Sequence, residues 1–427
     1  MSKVAVVGAG ASGLMVAGFL AQDGHDVTVF DGNEKVGKKL YITGKGRCNL
    51  TNLCPPDEFL KNVVRGEKFL RSAIYNFTSE DAVDFFESLG LKTKVERGNR
   101  VFPESDKSSD VIKVLRDKHC KNVKFVMGCK VEKIEKSDGC FVVSNRDSHW
   151  LFDKVIVATG GKSYQATGSD GDGYKFAKSF GHNIIELKGA LCPIKLKDTF
   201  VKSLQGVSLK NVQLDVFIGA SANENKSKNK GDGKRMSFFG EMLFTDAGIS
   251  GPIVLTASSF VNRAEKGNVK LTLDFKPALS EKQLDSRLLR DFESAKNSEL
   301  KSVLRGLLPK AVAEVFAKVS GLDAMKKVNS VTKEEREKIV WFLKNFPLTF
   351  DGLYDMDAAI VTSGGVDLGS INPKTFESKL QSGLYFLGEV LDVDALTGGF
   401  NLQCCWATAK SCADNFLLPQ KCQKGAS

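Results

Sequence analysis

The chain has 427 residues, and at roughly 150 residues per domain this length predicts two or three domains with a large core. A hydrophobic content of 42% and a charged content of 26% are ordinary globular values, which excludes a disordered or fibrous protein. The net charge of +10 comes from 61 basic and 51 acidic residues spread along the chain, a pattern typical of a solvated, lysine-rich surface.

The densest basic stretch is NKSKNKGDGKR, residues 225–235. No aromatic residue is interleaved with its charges, so it lacks a platform on which nucleic-acid bases could stack. We interpret this stretch as an exposed loop. The composition therefore favours a small-molecule substrate, without a nucleic-acid or membrane partner, and it leaves the oligomeric state open.

The first predicted element lies in VAVVGAGASGLMVAGFLAQ, residues 4–22, which is uncharged and follows a lysine, as an export signal or a membrane anchor would. Its glycines argue against both. Gly8, Gly10 and Gly13 have GxGxxG spacing directly after a β-branched run, and helical apolar spacing continues up to Gly24. The pattern predicts a strand, a glycine turn and a helix.

The second predicted strand covers Val27–Phe30 in HDVTVFD and ends at Asp31, which is placed to hydrogen-bond an adenosine ribose. In this interpretation Gly8 makes the tight turn, Gly10 lets the backbone approach a pyrophosphate, and Gly13 lets helix and strand pack closely. The amides at the helix N-terminus would then face the anion. The N-terminal region is therefore predicted to bind a dinucleotide, and its position and the loop that follows it favour FAD over a nicotinamide cofactor.

That loop, TGKGRCNLTNLC at residues 43–54, carries cationic and amide side chains that suit a cofactor clamp. Arg47 would neutralise phosphate charge, Asn49 would offer a fixed hydrogen bond, and Lys39 would add positive charge nearby.

Cys48 and Cys54 lie in the same loop and have three interpretations: a redox pair, metal ligands, or bystanders. Five residues separate them where flavin-linked disulfide reductases have four, and no second GxGxxG follows a later strand. The ten cysteines include no CxxC pair and the chain has only four histidines, so no metal site is predicted. We favour bystanders, kept as reduced thiols in a cytoplasmic protein.

Further along the chain, KVIVATGG (residues 154–161) predicts a buried strand followed by a turn that can approach a cofactor at Ala158, Thr159 and Gly160. Residues 191–275 alternate short β-rich runs with polar turns, which is typical of an antiparallel barrel or sandwich. Residues 279–340 have the spacing of amphipathic helices, and the α/β pattern resumes after about residue 350.

The C-terminal stretch LTGGFNLQCCWATAK contains Gly398 and Gly399, followed by a helix predicted from about Asn401. The free amides of this helix start, which includes Leu402, and the positive end of the helix dipole would stabilise negative charge on a reduced flavin. No chemistry is assigned to the adjacent pair Cys404 and Cys405.

Five long stretches are distinctive: GKKLYITGKGRCNLTN (37–52), ATGGKSYQATGSDGDGY (158–174), EMLFTDAGISGP (241–252), AIVTSGGVDLGSINPKTFESKL (359–380) and GLYFLGEVLDVDALTGGFNLQCCWATAK (383–410). They resemble, in order from one end of the chain to the other, one bacterial flavoprotein family. Its members are described as FAD-dependent, NAD(P)-linked dehydrogenases and include aminoacetone oxidase and a bile-acid-type enone reductase.

The resemblance implies an α/β fold with a Rossmann-like FAD-binding domain in two segments, 1–190 and 350–427. An inserted β-barrel-like domain would occupy 191–278, and a helical subdomain that returns to the barrel would occupy 279–349. It also implies that Gly388 and Glu389 lie against the ribityl chain, and that further contacts with non-covalently bound FAD are made by Gly8, Gly10, Ala11, Gly13, Asp31, Lys39, Arg47, Asn49 and, on a strand in GCKVEKIEK, Val131.

The predicted function is that of an FAD-dependent oxidoreductase that transfers two electrons between a small organic substrate or NAD(P)H and an acceptor. The acceptor is either oxygen, as in an amine oxidase, or an enone, as in a reductase. The alternatives are a nucleic-acid-acting, tRNA-modifying flavoprotein, a flavin-linked disulfide reductase, and a flavin-binding protein without turnover. Lys162, Tyr164 and Arg47 are candidate acids or bases, and the sequence does not select a catalytic residue among them.

Overall fold

A computed structural model describes residues 1–219 and 233–416 of the chain. The strands in chain order are β1 (Lys3–Val7), β2 (Asp26–Asp31), β3 (Thr51–Asn52), β4 (Val63–Arg65), β5 (Thr93–Glu96), β6 (Arg100–Pro103), β7 (Lys124–Met127), β8 (Lys133–Ser137), β9 (Cys140–Ser144), β10 (His149–Phe152), β11 (Lys154–Val157), β12 (Ile184–Ala190), β13 (Ile194–Leu196), β14 (Ser208–Ile218), β15 (Lys234–Phe244), β16 (Gly248–Ser250), β17 (Val269–Asp274), β18 (Phe346–Leu348), β19 (Phe350–Leu353), β20 (Val361–Val366), β21 (Leu384–Phe386) and β22 (Asp394–Ala395). The helices are α1 (Ala11–Gln22), α2 (Lys38–Ile42), α3 (Pro56–Leu60), α4 (Glu67–Asn76), α5 (Ser79–Ser88), α6 (Ser108–Val114), α7 (Asp172–Ser179), α8 (Pro252–Val261), α9 (Glu281–Ser294), α10 (Leu300–Leu307), α11 (Lys310–Ser320), α12 (Lys333–Lys344) and α13 (Phe400–Asp414).

Contacts divide the chain into two compact units. The first contains Met1–Ala190 and Met356–Ser427, and the second contains Leu191–Asp355. The first unit is therefore assembled from two separate stretches of the chain.

The first unit is built on a five-stranded parallel sheet in the order β21-β11-β1-β2-β7. Its strands are apolar runs such as VAVV in β1 and VIV in β11, and they are buried because a parallel sheet is covered on both faces. The predicted strand, glycine turn and helix are confirmed as β1 and α1, and the next strand as β2. Since β1, β2 and β11 are parallel neighbours, their carboxyl ends bring Gly8, Asp31 and Ala158 to one edge of the sheet.

A three-stranded antiparallel sheet, β10-β9-β8, also belongs to this unit. The strand predicted in GCKVEKIEK is β8, which begins only at Lys133 and is therefore shorter than predicted. Val131 therefore precedes the strand, in the segment that connects β7 with β8.

The second unit contains a seven-stranded antiparallel sheet in the order β18-β17-β14-β15-β16-β13-β19. Its end strands, β18 and β19, do not pair with each other, so the described residues form an open sheet where the sequence predicted a barrel-like one. The amphipathic patterns after residue 279 form α9–α12, with Pro309 separating α10 from α11 because proline lacks the amide that a continuous helix needs. A hydrophobic core that includes Leu214, Leu271 and Phe316 lies within this unit.

Most of the basic stretch 225–235 lies outside the described residues, and its last two residues, Lys234 and Arg235, begin β15. Within the described ranges, no helix combines the length and the apolar character needed to cross a membrane.

Candidate functional site

The glycine turn after β1 shows why each of its three glycines is needed. A Cβ on Gly8 would lie 2.4 Å from the carbonyl oxygen of Ala158, and one on Gly13 would lie 1.8 Å from that of Gly8, so these two positions are required by packing. Gly10 differs, since a Cβ there would meet no protein atom within 4 Å. It borders open space at the start of α1, which is the space that a pyrophosphate would need.

The N-terminus of α1 is free to bind an anion. The first intrahelical hydrogen bond runs from the amide of Leu14 to the carbonyl of Gly10, 3.0 Å, and no side chain caps the helix. The amides of Ala11, Ser12 and Gly13 consequently have no intrahelical acceptor. Together with the helix dipole they form the kind of site that binds phosphate groups.

Asp31, the predicted ribose ligand, is held at the end of β2 by backbone amides. One carboxylate oxygen accepts a hydrogen bond from the amide of Ala9, 2.8 Å, and the other accepts from the amide and the side chain of Asn33, 2.8 and 2.9 Å. These bonds orient the carboxylate next to the glycine turn. Asn33 was not predicted, and its place two residues after the acid is the only sequence feature that points to it.

Val131 lies beside the same end of β2, because the neighbouring Cys129 donates its amide to the carbonyl of Asp31, 2.9 Å. Neither the amide nor the carbonyl of Val131 has a hydrogen-bond partner among the described residues. The backbone contact to adenine therefore stays a prediction, made now for a connecting segment instead of a strand.

The turn after β11 is held against β1, since the amide of Ala158 donates to the carbonyl of Val7, 2.9 Å. Gly160 has a φ of +72°, a conformation that favours glycine. The hydroxyl of Thr159 is buried and has no partner among the described groups. An unpaired buried hydroxyl at this turn suits a site that a polar ligand completes.

Arg47 has protein partners that the sequence did not predict. Its guanidinium hydrogen-bonds to Glu96 and Asp106 and lies 4.1 Å from the centroid of the Phe102 ring. The hydrogen bonds that Arg47 donates to Glu96 and, to a lesser extent, to Asp106 raise the pKa of Arg47. These contacts fasten the loop to β6 and the segments next to it, while the phosphate-neutralising role stays a prediction.

Asn49 presents a buried acceptor, since its side-chain oxygen is inaccessible and has no hydrogen-bond partner among the described residues. A buried acceptor left unpaired costs about 1–3 kcal/mol, so such atoms in folded proteins usually meet a ligand or an ordered water. Together with the open space at Gly10, this atom fits a bound FAD.

Lys39 and Glu389 form one ion pair, although each was predicted separately as a cofactor contact. The ammonium of Lys39 lies 2.8 Å from the carboxylate of Glu389 and donates to the hydroxyl of Ser163, 2.8 Å. The amide of Thr362 also donates to Glu389, 2.8 Å. This cluster of four residues, the Lys39–Glu389 hub, ties together α2, the turn after β11, β20 and the segment after β21.

Ser163 and Thr362 were not predicted as site residues. Both lie in stretches that carried the family resemblance, ATGGKSYQATGSDGDGY and AIVTSGGVDLGSINPKTFESKL, and nothing in their local pattern indicated that they meet.

Gly388 packs directly on the first turn of α1. A Cβ on Gly388 would lie 2.2 Å from the hydroxyl oxygen of Ser12 and 3.3 Å from the sulfur of Cys405, and its φ is +70°. Burial raises the pKa of the Cys405 thiol to about 11, so the thiol is neutral and a poor nucleophile.

The two glycines before α13 are required by the backbone conformation and, at Gly399, also by close packing. Gly398 and Gly399 have φ values of +123° and +101°, and a Cβ on Gly399 would lie 2.4 Å from the carbonyl oxygen of Thr51. The helix begins at Phe400, one residue before the predicted start, and its first intrahelical bond runs from Gln403 to Gly399, 3.1 Å.

The amides of Phe400, Asn401 and Leu402 therefore lack intrahelical acceptors, as predicted for this helix start. The side chain of Asn401 has a structural task, because it accepts from the amide of Ala395, 3.0 Å, and donates to its carbonyl, 2.7 Å. These bonds hold the chain that leads into the glycine pair.

The three candidate acids or bases have different surroundings. Arg47 is paired with carboxylates, the side chain of Lys162 is exposed, and Tyr164 adopts a positive φ of 53°. The geometry does not select one of them as catalytic.

The parallel sheet, the glycine turn and the two uncapped helix starts belong to an FAD-dependent oxidoreductase. The particular family follows from comparison with known proteins: the sequence model of the HI0933-like protein Rossmann domain matches residues 2–415, and the chain belongs to that family.

Two relatives match the chain almost from end to end. A 3-dehydro-bile acid delta(4,6)-reductase from Clostridium scindens is 31% identical over 415 residues, 96% of this chain and 97% of the relative. A ribosomal RNA dihydrouridine synthase from Haemophilus influenzae is 31% identical over 420 residues, 96% of this chain and 98% of the relative.

Among solved structures, a 3-ketosteroid-delta4-(5alpha)-dehydrogenase from Rhodococcus jostii RHA1 covers 96% of both chains, with 14% identity and a TM-score of 0.49. This similarity is too low to carry a conclusion about function.

Proposed function

We propose that this chain, with FAD bound, reduces a carbon–carbon double bond conjugated to a carbonyl group. The observation that carries the proposal is the shared chemistry of two relatives with the same identity, a delta(4,6)-reductase and a dihydrouridine synthase. Dihydrouridine is uridine with two hydrogens added across a double bond conjugated to a ring carbonyl. An unsaturated 3-oxo steroid presents the same group, so both names describe saturation of an enone-type bond.

When bound, FAD supplies the hydride carrier between NAD(P)H and the substrate. The hydride adds to the carbon β to the carbonyl and a proton adds to the α carbon, so the two-electron reduction consumes one NAD(P)H and one proton. The free amides at the start of α13 favour negative charge close to them, because they combine unpaired donors with the positive end of the helix dipole. The exposed Lys162 and the half-buried Tyr164 are the candidates for delivering the proton.

A small enone is the first substrate class that we propose. The second is a uracil base within RNA, which is favoured by the match to the dihydrouridine synthase and by the net charge of +10. Both classes undergo the same reaction and differ in what the protein must bind around the reacting bond.

The test is an anaerobic titration of the FAD-loaded protein with NADPH and with NADH, followed by flavin absorbance. We expect bleaching by at least one of them, and then return of the oxidised spectrum when an unsaturated 3-oxo steroid or a uridine-containing RNA is added. The matched control is the corresponding saturated ketone, which has the carbonyl without the double bond and should not reoxidise the flavin. Bleaching by amines but not by NAD(P)H would contradict the proposal and indicate an oxidase.

A further inference from the structure

The excess positive charge of the chain is unevenly distributed. Most of the excess of Lys and Arg over Asp and Glu lies in residues 191–355, which form the second unit, although this unit contains well under half of the chain. A basic unit favours a polyanionic partner. The question is which of its surfaces such a partner would contact.

The sheet of this unit has two different faces along β14, β15 and β17. Leu214, Val216 and Leu271 point into the core and are at most 1% exposed. The residues that alternate with them form the opposite face and include Phe217, Arg235, Ser237, Phe239 and Lys270. We call these five residues the aromatic–basic face.

Two aromatic rings lie on this face, and one of them contacts a cation. Phe239 is 63% exposed, and it shares the face with Phe217 because two-residue steps along β14 and β15 preserve the side. Phe217 is paired across the strands with Arg235 on one side and with Lys270 on the other. The guanidinium of Arg235 lies 5.3 Å from the centroid of the Phe217 ring.

Two carboxylates on this side of the sheet, those of Asp215 and Asp274, are buried and paired, whereas Glu241, two residues after Phe239 on β15, is exposed. Asp215 is 5% exposed, accepts hydrogen bonds from Gln213, 3.1 Å, and Ser237, and forms an ion pair with Arg235, 3.3 Å. Asp274, also 5% exposed, forms an ion pair with Lys344, 2.6 Å. The ion pair with Asp215 offsets part of the charge of Arg235, but the side chain of Arg235 is still 62% exposed and its guanidinium can stack with a base.

We propose that the aromatic–basic face binds a single-stranded segment of RNA, with bases stacked on Phe239 and on the Phe217–Arg235 pair. An exposed ring on a β-sheet, together with a second ring paired with an exposed guanidinium, suits this ligand, because every base has a face that can stack and every phosphate carries a negative charge. The proposal rests on the second substrate class of the proposed function, and it adds the surface that would hold the RNA.

The test measures binding, not turnover. Fluorescence anisotropy of a labelled, uridine-rich single-stranded RNA is followed with the FAD-loaded full chain at several salt concentrations. We expect salt-dependent binding that Phe239→Ala weakens at least about fivefold, since stacking on one aromatic side chain contributes this much or more. Lys270→Gln should weaken binding and reduce the salt dependence by about one unit of the log–log slope.

The matched control is Trp341→Ala, which removes another exposed aromatic side chain of the same unit, 51% exposed, from α12 instead of the sheet. It should leave RNA affinity unchanged. Heparin serves as a polyanion without bases, and its binding should be unaffected by Phe239→Ala. FAD content and bleaching by NAD(P)H should be equal in all variants, which shows that they are folded.

Absence of salt-dependent RNA binding by the unmodified chain would overturn the proposal. So would equal losses in Phe239→Ala and Trp341→Ala, or an equal loss of heparin binding in Phe239→Ala. RNA binding through Phe239 without reoxidation of the flavin would support this surface and contradict RNA as the substrate. Enone reduction without RNA binding would overturn this surface and leave the proposed reaction standing with a small enone as the substrate.

Discussion

Thr51 donates its hydroxyl to the side-chain oxygen of Gln403, 2.8 Å, although 352 residues separate them. The side-chain nitrogen of Gln403 donates to the carbonyls of Phe77 and Thr78, 2.8 and 3.0 Å, and the residue is fully buried. The indole of Trp406, one turn further along α13, donates to the carbonyl of Leu50, 2.9 Å. The loop predicted to clamp FAD is thus fastened to the C-terminal helix.

Replacement of Gln403 should loosen this attachment. Gln403→Met keeps the length of the side chain but leaves the buried hydroxyl of Thr51 and the carbonyl of Phe77 without the glutamine, while the carbonyl of Thr78 still accepts from the amide of Ala82, 3.1 Å. We expect the free energy of unfolding to fall by about 1–3 kcal/mol and FAD to bind several-fold more weakly. Urea unfolding and an FAD fluorescence titration measure the two effects. Gln205→Met, at an exposed glutamine of the second unit, is the control, and equal behaviour of the two variants would contradict the prediction.

Gly10 and Gly13 offer a matched pair of alanine substitutions. Gly13→Ala forces a Cβ against the carbonyl of Gly8, so the apoprotein should lose about 1–3 kcal/mol or more of stability. Gly10→Ala meets no protein atom and should change apoprotein stability by less than about 1 kcal/mol, while FAD affinity falls at least tenfold, because the new methyl group takes space assigned to the pyrophosphate. Thermal unfolding of the apoproteins and FAD titration separate the two effects. Normal FAD affinity in Gly10→Ala would contradict the assignment of this turn.

The glycine turn could be predicted from the sequence because all of its determinants lie within about thirty residues. Gly8, Gly10, Gly13 and Asp31 are fixed by one strand–helix–strand unit, in which local spacing decides the geometry. The start of α13 was predicted to within one residue for the same reason, since a glycine pair precedes an apolar helical pattern.

The partners of the predicted side chains could not be read from the sequence. Arg47 meets Glu96 and Asp106 through pairing of strands about fifty residues away, and Thr51 meets Gln403 through the two-segment assembly of the first unit. Charge patterns identify residues able to pair but do not say with which partner. The sequence also could not show that the seven-stranded sheet is open where a barrel-like one was predicted. The alternation of apolar and polar residues along each strand is the same in an open and in a closed sheet.

The Lys39–Glu389 pair should be energetically coupled. Lys39→Met leaves the carboxylate of Glu389 without its cation, and Glu389→Gln removes the charge but keeps a hydrogen-bonding side chain. Because the two side chains are only 22% and 17% exposed, we expect each single change to cost about 1–2 kcal/mol and the double change to cost less than the sum. Urea unfolding of the unmodified chain, the two single variants and the double variant gives the coupling energy.

An exposed ion pair provides the comparison for this cycle. Lys124 pairs with Asp26 at a distance of 2.8 Å, but the lysine side chain is 68% exposed, so Lys124→Met should cost less than about 0.5 kcal/mol. Equal losses of stability in Lys39→Met and Lys124→Met, or a coupling energy of zero between Lys39 and Glu389, would contradict the prediction. Either result would show that the Lys39–Glu389 pair stabilises the protein no more than an exposed ion pair does.

Cys48 and Cys54 should be dispensable for redox chemistry. Both are free and buried, and burial raises the pKa of Cys48 to about 12 and that of Cys54 to about 11, so neither is a thiolate at neutral pH. The double variant Cys48→Ser/Cys54→Ser should keep near-normal FAD binding and near-normal NAD(P)H-dependent bleaching. Its thermal stability should fall slightly, because a buried hydroxyl replaces a small apolar thiol. Loss of turnover with FAD still bound would revive the disulfide-reductase alternative.

Replacing Asn49 by alanine should affect the stability of the apoprotein and the binding of FAD in opposite directions. Its buried side-chain oxygen has no partner among the described residues, so Asn49→Ala removes an unpaired acceptor and should leave the stability of the apoprotein unchanged or raise it. If that oxygen accepts a hydrogen bond from FAD, the same change should weaken FAD binding about fivefold to tenfold and reduce the stabilisation that FAD confers. Asn49→Asp keeps the acceptor and adds a buried charge, so it should destabilise the apoprotein instead. Thermal unfolding with and without saturating FAD distinguishes the cases. A fall in apoprotein stability for Asn49→Ala, with FAD affinity unchanged, would show that this side chain supports the loop and does not contact the cofactor.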